Sequence, residues 1–491
     1  MLSRISNILT QYKHLFFGLI WVVFGLFFEY QNILFKEPVS VHQGAQSDRA
    51  SIALNYARVN MNFFEPRVME TGTHDGVTPC EFPIINYSVA IGYSIFGYHI
   101  FLYRLLMWLI VSLGVWSVFD VLSKVFKAVL PALLLTFTWF FSSILCYYTP
   151  NFLPDAASLG LLLIGGRFWY LYSSDSQKKW LSLFTVFVTL ACLVKITSLI
   201  FVIALAIIEL PRLLKIKHHK QLWLSFIIIA AAQVLWLLYC NYLEKKVGGS
   251  YFLMSINTFG SLAELKEWFH IFYANWFLQI YCTWQWYFIL AGLLVLPFAK
   301  LGKRFLTYTL LCVIGLAAFY LLMAAQFRYH DYYVITLLPV FLLLMVSAFM
   351  VLKKINSNLA VVITFAVMIM GWIDAKNSVR LRFTPDNYWY QTFFEPSDFK
   401  QADVWLAQNG VPRNHKILAC FDPNPNALLY ALKRRGYRSA DHSVAYVAEK
   451  LNVVTAVVLT DTALFNKLYP ETRKKLKPKS QLGGLYLFVK Q

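Results

Sequence analysis

Residues 100–122 read IFLYRLLMWLIVSLGVWSVFDVL, and Lys124 and Lys127 follow. A helix of that length crosses a hydrocarbon layer of about 30 Å. The two lysines mark its far end as cytoplasmic. Working outward, comparable apolar runs fall at 15–35, 127–147, 153–173, 180–194, 196–211, 222–243, 284–299, 304–325, 332–352 and 358–377. Of the 491 residues, 58% are hydrophobic and 14% charged. A soluble domain carries roughly a quarter charged residues, because its surface must be wetted. The deficit excludes a soluble enzyme, a disordered chain and a disulfide scaffold. It predicts a polytopic α-helical membrane protein of about eleven transmembrane helices.

The net charge is +19, from 44 basic and 25 acidic residues. Its distribution explains it without nucleic acid. An internal N-terminus puts Arg4, Lys13, Lys124, Lys127, Lys178, Lys179, Arg212, Lys215, Lys217, Lys220, Lys300, Lys303, Arg304, Lys353 and Lys354 on the cytoplasmic side. The opposite short turns offer little beyond Lys195 and Arg328. The first run has no small-residue cleavage site and reads as a retained span. The seven cysteines stand singly, with no C-x-x-C, so neither a zinc site nor a disulfide framework is indicated.

This topology divides the chain into a membrane domain, 1–377, and a C-terminal external segment, 378–491. Two long connections also lie outside, 36–99 and 244–283. The C-terminal segment changes composition. β-rich runs at 416–421, 453–459 and 485–489 alternate with helix-like stretches such as 426–435, which predicts a small α/β domain. It holds no Rossmann or P-loop glycine pattern.

Ionisable residues gather at the external turns. The first loop holds His42-Gln-Gly-Ala-Gln46-Ser-Asp48-Arg49, then Asn55-Tyr-Ala-Arg58 and Asn62-Phe-Phe-Glu-Pro-Arg67. Residues 48–60 are expected to form one interfacial amphipathic helix with Ile52, Tyr56 and Val59 on its apolar face. Asp48 would sit in its first turn, as an N-cap or as a site residue. Glu81 stands in Pro79-Cys-Glu81-Phe-Pro83, where the plain expectation is a cap for the next helix. Asp155 follows Pro154 at the start of a span. Lys195 interrupts two short spans, and Arg328-Tyr-His330-Asp331-Tyr-Tyr333 opens another. Ionisable groups at membrane depth are site candidates. Lys and Arg converging with carboxylates suit an anionic lipid headgroup, with the cations on phosphate oxygens.

The order of these motifs resembles the GT-C superfamily of membrane glycosyltransferases, in particular glycosyltransferase family 39 and the lipid A aminoarabinose transferases. The matching residues are Asp48, Ala57–Arg58, Asn62–Arg67, Glu81–Ile84, Phe96-Gly97, Arg104, Pro154–Asp155, the turn at Lys195, and His330–Tyr333. The likeness covers roughly residues 14–377. It departs where lipid A transferases show K-P-P and this chain has Glu81-Phe-Pro83, and where Arg49 follows Asp48 in place of a second acid. The W-W-D of oligosaccharyltransferases is absent from the external segment; only Gly371-Trp-Ile-Asp374 approaches it, in the last span.

The resemblance implies a sugar donor on polyprenyl (undecaprenyl) phosphate and an inverting transfer to a protein, lipid or glycan acceptor at the external face of a bacterial inner membrane. Asp48 would be the catalytic base. Lys195, Arg328, His330 and Tyr333 would hold the donor phosphate. Arg58, Arg67, Glu81 and Arg104 would contact sugar or acceptor. A divalent cation (Mg, Mn or Zn) between Asp48 and Asp155 and a metal-free site are both consistent with these residues. The alternatives are a transporter or flippase of a lipid-linked sugar, and a non-enzymatic lipid-binding protein. Transporters place their charges near the midplane and carry internal repeats. Here the charges lie at external turns and no repeat is found.

Overall fold

The computed structural model describes residues 10–72, 74–215, 219–248, 258–392, 394–395, 399–422, 424–439 and 443–491. Arg4 and Lys217 of the basic clusters lie outside them. The chain forms two compact units, Met1–Ile33 with Leu105–Tyr239 and Met254–Leu381, and Leu34–Arg104 with Cys240–Leu253 and Arg382–Gln491. The expected boundary at 377/378 falls close to the junction at 381/382, and the first loop joins the C-terminal segment in the second unit.

The first unit is helical, and each of the eleven apolar runs coincides with helix. Among the described residues, six helices are individually long and apolar enough to cross a membrane, among them Ile100–Phe126, Lys220–Val247 and Ser357–Arg382. A seventh is counted if Leu262–Ile280 and Thr283–Phe298, bent by 101°, form one span. Other runs are short or broken. Lys13–Phe27 has 15 residues, and the run at 127–147 splits into Val129–Phe140 and Ser143–Tyr148. The Ile100–Phe126 and Pro154–Asp175 helices cross closely at Gly114 and Gly160. A Cβ on Gly114 would meet Gly160 Cα at 2.7 Å, so a side chain there would force the helices apart. Lys195 breaks the chain as expected. The Lys178–Val194 helix stops, Lys195 is extended at φ −150°, and a 3-10 turn, Ile196–Ser198, leads into Leu199–Leu213.

The second unit is built on a five-stranded sheet, with β1 (Ile417–Cys420), β2 (Gly436–Arg438), β3 (Ala456–Leu459), β4 (Leu476–Leu482) and β5 (Leu485–Lys490). The order is β2-β1-β3-β5-β4. The first three strands are parallel, and β5 runs antiparallel to both β3 and β4. Leu418, Val457, Leu459, Phe465 and Phe488 share its core. The first loop extends the sheet edge: Thr71 donates its backbone N–H to the Gly436 carbonyl, and Gly436 donates to that of Met69.

The helix around Asp48 differs from expectation. It runs Gln43–Arg58, one turn and a half earlier, and His42 stands at its N-cap position. Most of its residues are buried, including Gln43, Gln46, Ser47, Ser51 and Asn55. It is therefore buried on most sides and lacks the broad exposed polar face expected of an amphipathic helix. Ile52 and Tyr56 pack with Val68, Cys80 and Ala90, while Val59 lies past the helix end and is exposed. The polar residues are satisfied by the preceding loop. Gln46 Nε2 donates to the Val39 and Val41 carbonyls at 2.8 Å, and Gln43 Nε2 to Pro38 at 3.0 Å.

Candidate active site

In the second unit, Asp48 lies in the helix's second turn, so it is not an N-cap. Asn426, just before a short helix of the C-terminal segment (Ala427–Ala431), donates its side-chain amide to Asp48 Oδ1 at 2.8 Å. Arg49 stands 3.8 Å from the other oxygen. Arg49 in turn donates to Glu81 at 2.6 Å. Glu81 is thus the counter-charge of Arg49 and not a helix cap; Pro83 occupies the cap position of Ile84–Phe96. The pair draws the guanidinium toward Glu81 and leaves Asp48 only loosely neutralised. Burial pushes the Asp48 carboxyl above the usual carboxylate range, and Arg49 opposes this only in part. A carboxylate so placed is a stronger base than a solvated one.

A second acid of this unit escaped the sequence reading. Asp422, 3% exposed, accepts backbone N–H groups from Asn424 and Leu428. Burial pushes its carboxyl up to about 7, and the charge of Asp48 adds to the rise.

The remaining first-loop residues fall into two classes. Arg104 is fully buried and donates to the Lys36 and Glu37 carbonyls. Arg67 pairs with Glu65 at 2.8 Å and with Asp75 at 3.8 Å. Both brace the loop. Arg58 instead faces a cavity of about 550 Å³. There Lys433 reaches Glu37 at 3.2 Å, and Tyr98 donates to Glu37 at 2.9 Å. Burial lowers the Lys433 pKa while Glu37 opposes the shift. Glu37, Tyr98 and Lys433 were not singled out from sequence; none sits in a recognisable motif.

The first unit brings together Asp155, Lys195, His330 and Tyr333. Lys195 Nζ is 3.0 Å from Asp155 Oδ1 and lies 4.8 Å from the centroid of the Tyr333 ring and 5.6 Å from that of Tyr332. The His330 ring is 6.0 Å from Tyr333. The turn is locked by the Ser158–Ser198 hydroxyl pair at 2.8 Å and by Thr197–Thr336 at 3.0 Å. Arg328 stacks on its neighbour Tyr329 at 4.6 Å. Lys195 is thus a held cation with an aromatic wall, and not a lysine reaching loosely for a headgroup.

Asp48 meets Asn426 and Arg49, and Asp155 meets Lys195. Each carboxylate already faces a protein cation or amide. Among the described residues, no three His, Cys, Asp or Glu side chains gather as a ligand set.

Residues 78–241 match the family model described as dolichyl-phosphate-mannose-protein mannosyltransferase. The structure is similar to ArnT from Cupriavidus metallidurans bound to undecaprenyl phosphate, with a TM-score of 0.61 at 10% identity, covering 96% of this chain and 98% of that one. Apo ArnT from the same organism gives 0.53 at 12% identity, with 98% of each chain covered. The archaeal oligosaccharyltransferase AglB from Archaeoglobus fulgidus, in complex with an inhibitory peptide and a dolichol-phosphate, gives 0.51 at 11% identity, covering 98% of this chain and 75% of that one. No curated protein matches the sequence. The chain therefore has the fold of the ArnT and AglB structures, and residues 78–241 match the mannosyltransferase family model.

Proposed function

We propose that the protein transfers a sugar from a polyprenyl-phosphate carrier to an acceptor hydroxyl, with inversion, at the external face of the membrane. The observation that carries this reading is Asp48: a partly buried carboxylate with a raised pKa, bonded by Asn426, whose neighbouring Arg49 is shared with Glu81. Asp48 takes the proton of the acceptor hydroxyl as the new glycosidic bond forms on the face of the anomeric carbon opposite the carrier. The bond to the carrier phosphate breaks, and that phosphate leaves with the electron pair. Negative charge grows on the leaving oxygens, where a fixed cation stabilises the transition state. Lys195 is that cation, with the Tyr333 ring beside it and His330 against Tyr333 in the first unit. The bound lipid phosphates named for the ArnT and AglB structures support a phosphate-linked donor. The test is transfer of radiolabelled sugar from a synthetic polyprenyl-linked donor by purified protein. Movement of intact lipid-linked sugar across a vesicle, without transfer, would favour the flippase.

Base catalysis fixes the sign of the pH dependence. Asp48 works ionised, and its pKa is raised. kcat/KM is therefore expected to fall as pH drops through a value above the ordinary aspartate pKa of about 4. An acid limb at or below that ordinary value, or none, would contradict the assignment.

The reading includes eleven crossings, an internal N-terminus and an external C-terminus. It rests on the basic bias of one set of short loops. An alkaline phosphatase fusion after Gln491 is expected to be active and a cytoplasmic reporter silent. The reverse pattern would overturn the odd count.

A further inference from the structure

The cavity at Arg58 is a second site. Gln43, Ser47, Leu54 and Arg58 share one face of the Gln43–Arg58 helix and line it. At 3.6 residues per turn, Asp48 lies roughly 120° round the helix. The cavity therefore opens on a different face from the proposed base.

One buried polar group in it has no partner, and one exposed cation beside it carries an unmatched charge. The Arg58 side chain is exposed at the cavity, makes no hydrogen bond or ion pair with any described residue, and lies 5.6 Å from the centroid of the Tyr98 ring. The Tyr93 side chain is 5% exposed, and its hydroxyl has no hydrogen-bond partner. A buried hydroxyl without a partner is costly and calls for an explanation. The neighbouring charges are by contrast already matched, Lys433 with Glu37 and Arg413 with Asp403. The uncommitted charge is positive, with Lys400 at the rim adding to it. A volume of about 550 Å³ exceeds what a lone inorganic anion fills and falls in the range of small-molecule sites. Tyr93 and Tyr98, ring centroids 5.1 Å apart with their planes tilted by 58°, give the cavity an aromatic wall of the kind that meets the C–H face of a sugar ring.

We propose that this cavity binds an acidic saccharide unit, a sugar bearing a carboxylate or a phosphate. Arg58 takes the anionic group and the Tyr93 hydroxyl bonds to a sugar hydroxyl. The site is a binding site in its own right and does not depend on Asp48 acting as a base.

The test is calorimetric titration of the full-length purified protein with glucuronate, glucose 6-phosphate, inorganic phosphate and glucose. One or both acidic sugars are expected to bind at least about tenfold more tightly than glucose and than inorganic phosphate, and which of them does so identifies the anion. Arg58→Gln is expected to weaken acidic-sugar binding about 10- to 100-fold. Tyr93→Phe removes only the hydroxyl and keeps the ring, and a loss of about three- to tenfold is expected. Asp48→Asn is expected to bind these sugars as wild type does, so a failure of the transfer reading leaves this result standing. Equal binding of acidic sugars and glucose would overturn the proposal. So would tightest binding of inorganic phosphate, which would mean an anion site without sugar recognition. A Tyr93→Phe protein with unchanged binding and raised thermal stability would assign the hydroxyl to a buried defect of packing. The wild-type comparison stands even if Arg58→Gln does not fold.

Discussion

Replacing Asp48 by Asn is expected to abolish sugar transfer while leaving the yield of folded protein unchanged. The amide is nearly isosteric and its oxygen can still accept from Asn426, so the contact to the C-terminal segment survives. What is lost is the ability to take a proton. Positioned general bases contribute about 10²- to 10⁴-fold, and kcat is expected to drop by that factor. The loss belongs to kcat more than to KM, because the proton moves only in the transition state. The check is single-turnover transfer from a labelled polyprenyl donor, with thermal unfolding as the control. An Asp48→Asn protein with more than about a tenth of wild-type kcat, a loss below the lower end of that range, would remove the base.

Lys195→Ala is expected to lower kcat/KM for the lipid donor by about 10- to 100-fold, the loss of one charge-assisted hydrogen bond of about 1.5–3 kcal/mol. Lys195→Arg should recover part of it, since the charge persists in another geometry. The ion pair complicates the single variant. Asp155 has 2% side-chain exposure, and stripping its partner leaves a buried carboxylate uncompensated, which costs about 3–5 kcal/mol of stability. The double variant Lys195→Met with Asp155→Asn removes both charges and separates the roles. If Lys195 only neutralises Asp155, the double variant restores donor kinetics along with stability. If it holds phosphate, stability returns and the donor defect stays. Donor kinetics within about twofold of wild type in Lys195→Ala, well under 1 kcal/mol, would end the phosphate assignment.

The membrane part of the fold was legible because an apolar run and a helix there are nearly the same fact. Even the break at Lys195 could be read, since a lysine between two short apolar runs has few places to go. The start of the Asp48 helix could not. A helix buried on several sides by Gln43, Gln46, Ser47 and Asn55, and satisfied by loop carbonyls, shows no amphipathic period. The sheet was half legible for a related reason. β1, β3 and β5 are central and apolar. β2 has three residues, and β4 is an edge strand, LKPKSQL, whose Pro and Lys guard the edge and erase the strand pattern. In the candidate site, Asp48, Lys195 and Arg58 were picked out, but their partners mostly were not. Asn426 is 378 positions from Asp48, and Lys433 is 396 from Glu37. Local spacing cannot report such meetings. Asp155 and Lys195, 40 positions apart, were both marked, though not as a pair. Glu81 and Arg104 were marked too, but as ligand contacts, where they brace other groups.

The bond from Asn426 to Asp48 also has a meaning in time. The first loop emerges from the ribosome early, and Asn426, which bonds its acid, emerges 378 positions later, after every apolar run between them has been made. The nascent protein can therefore expose its first loop to lipid-linked sugar throughout synthesis without possessing an oriented base. If Asp48 is the base, transfer is withheld until Asn426 has been made, and a product stalled in the Ser357–Arg382 helix would occupy the membrane as an inert protein.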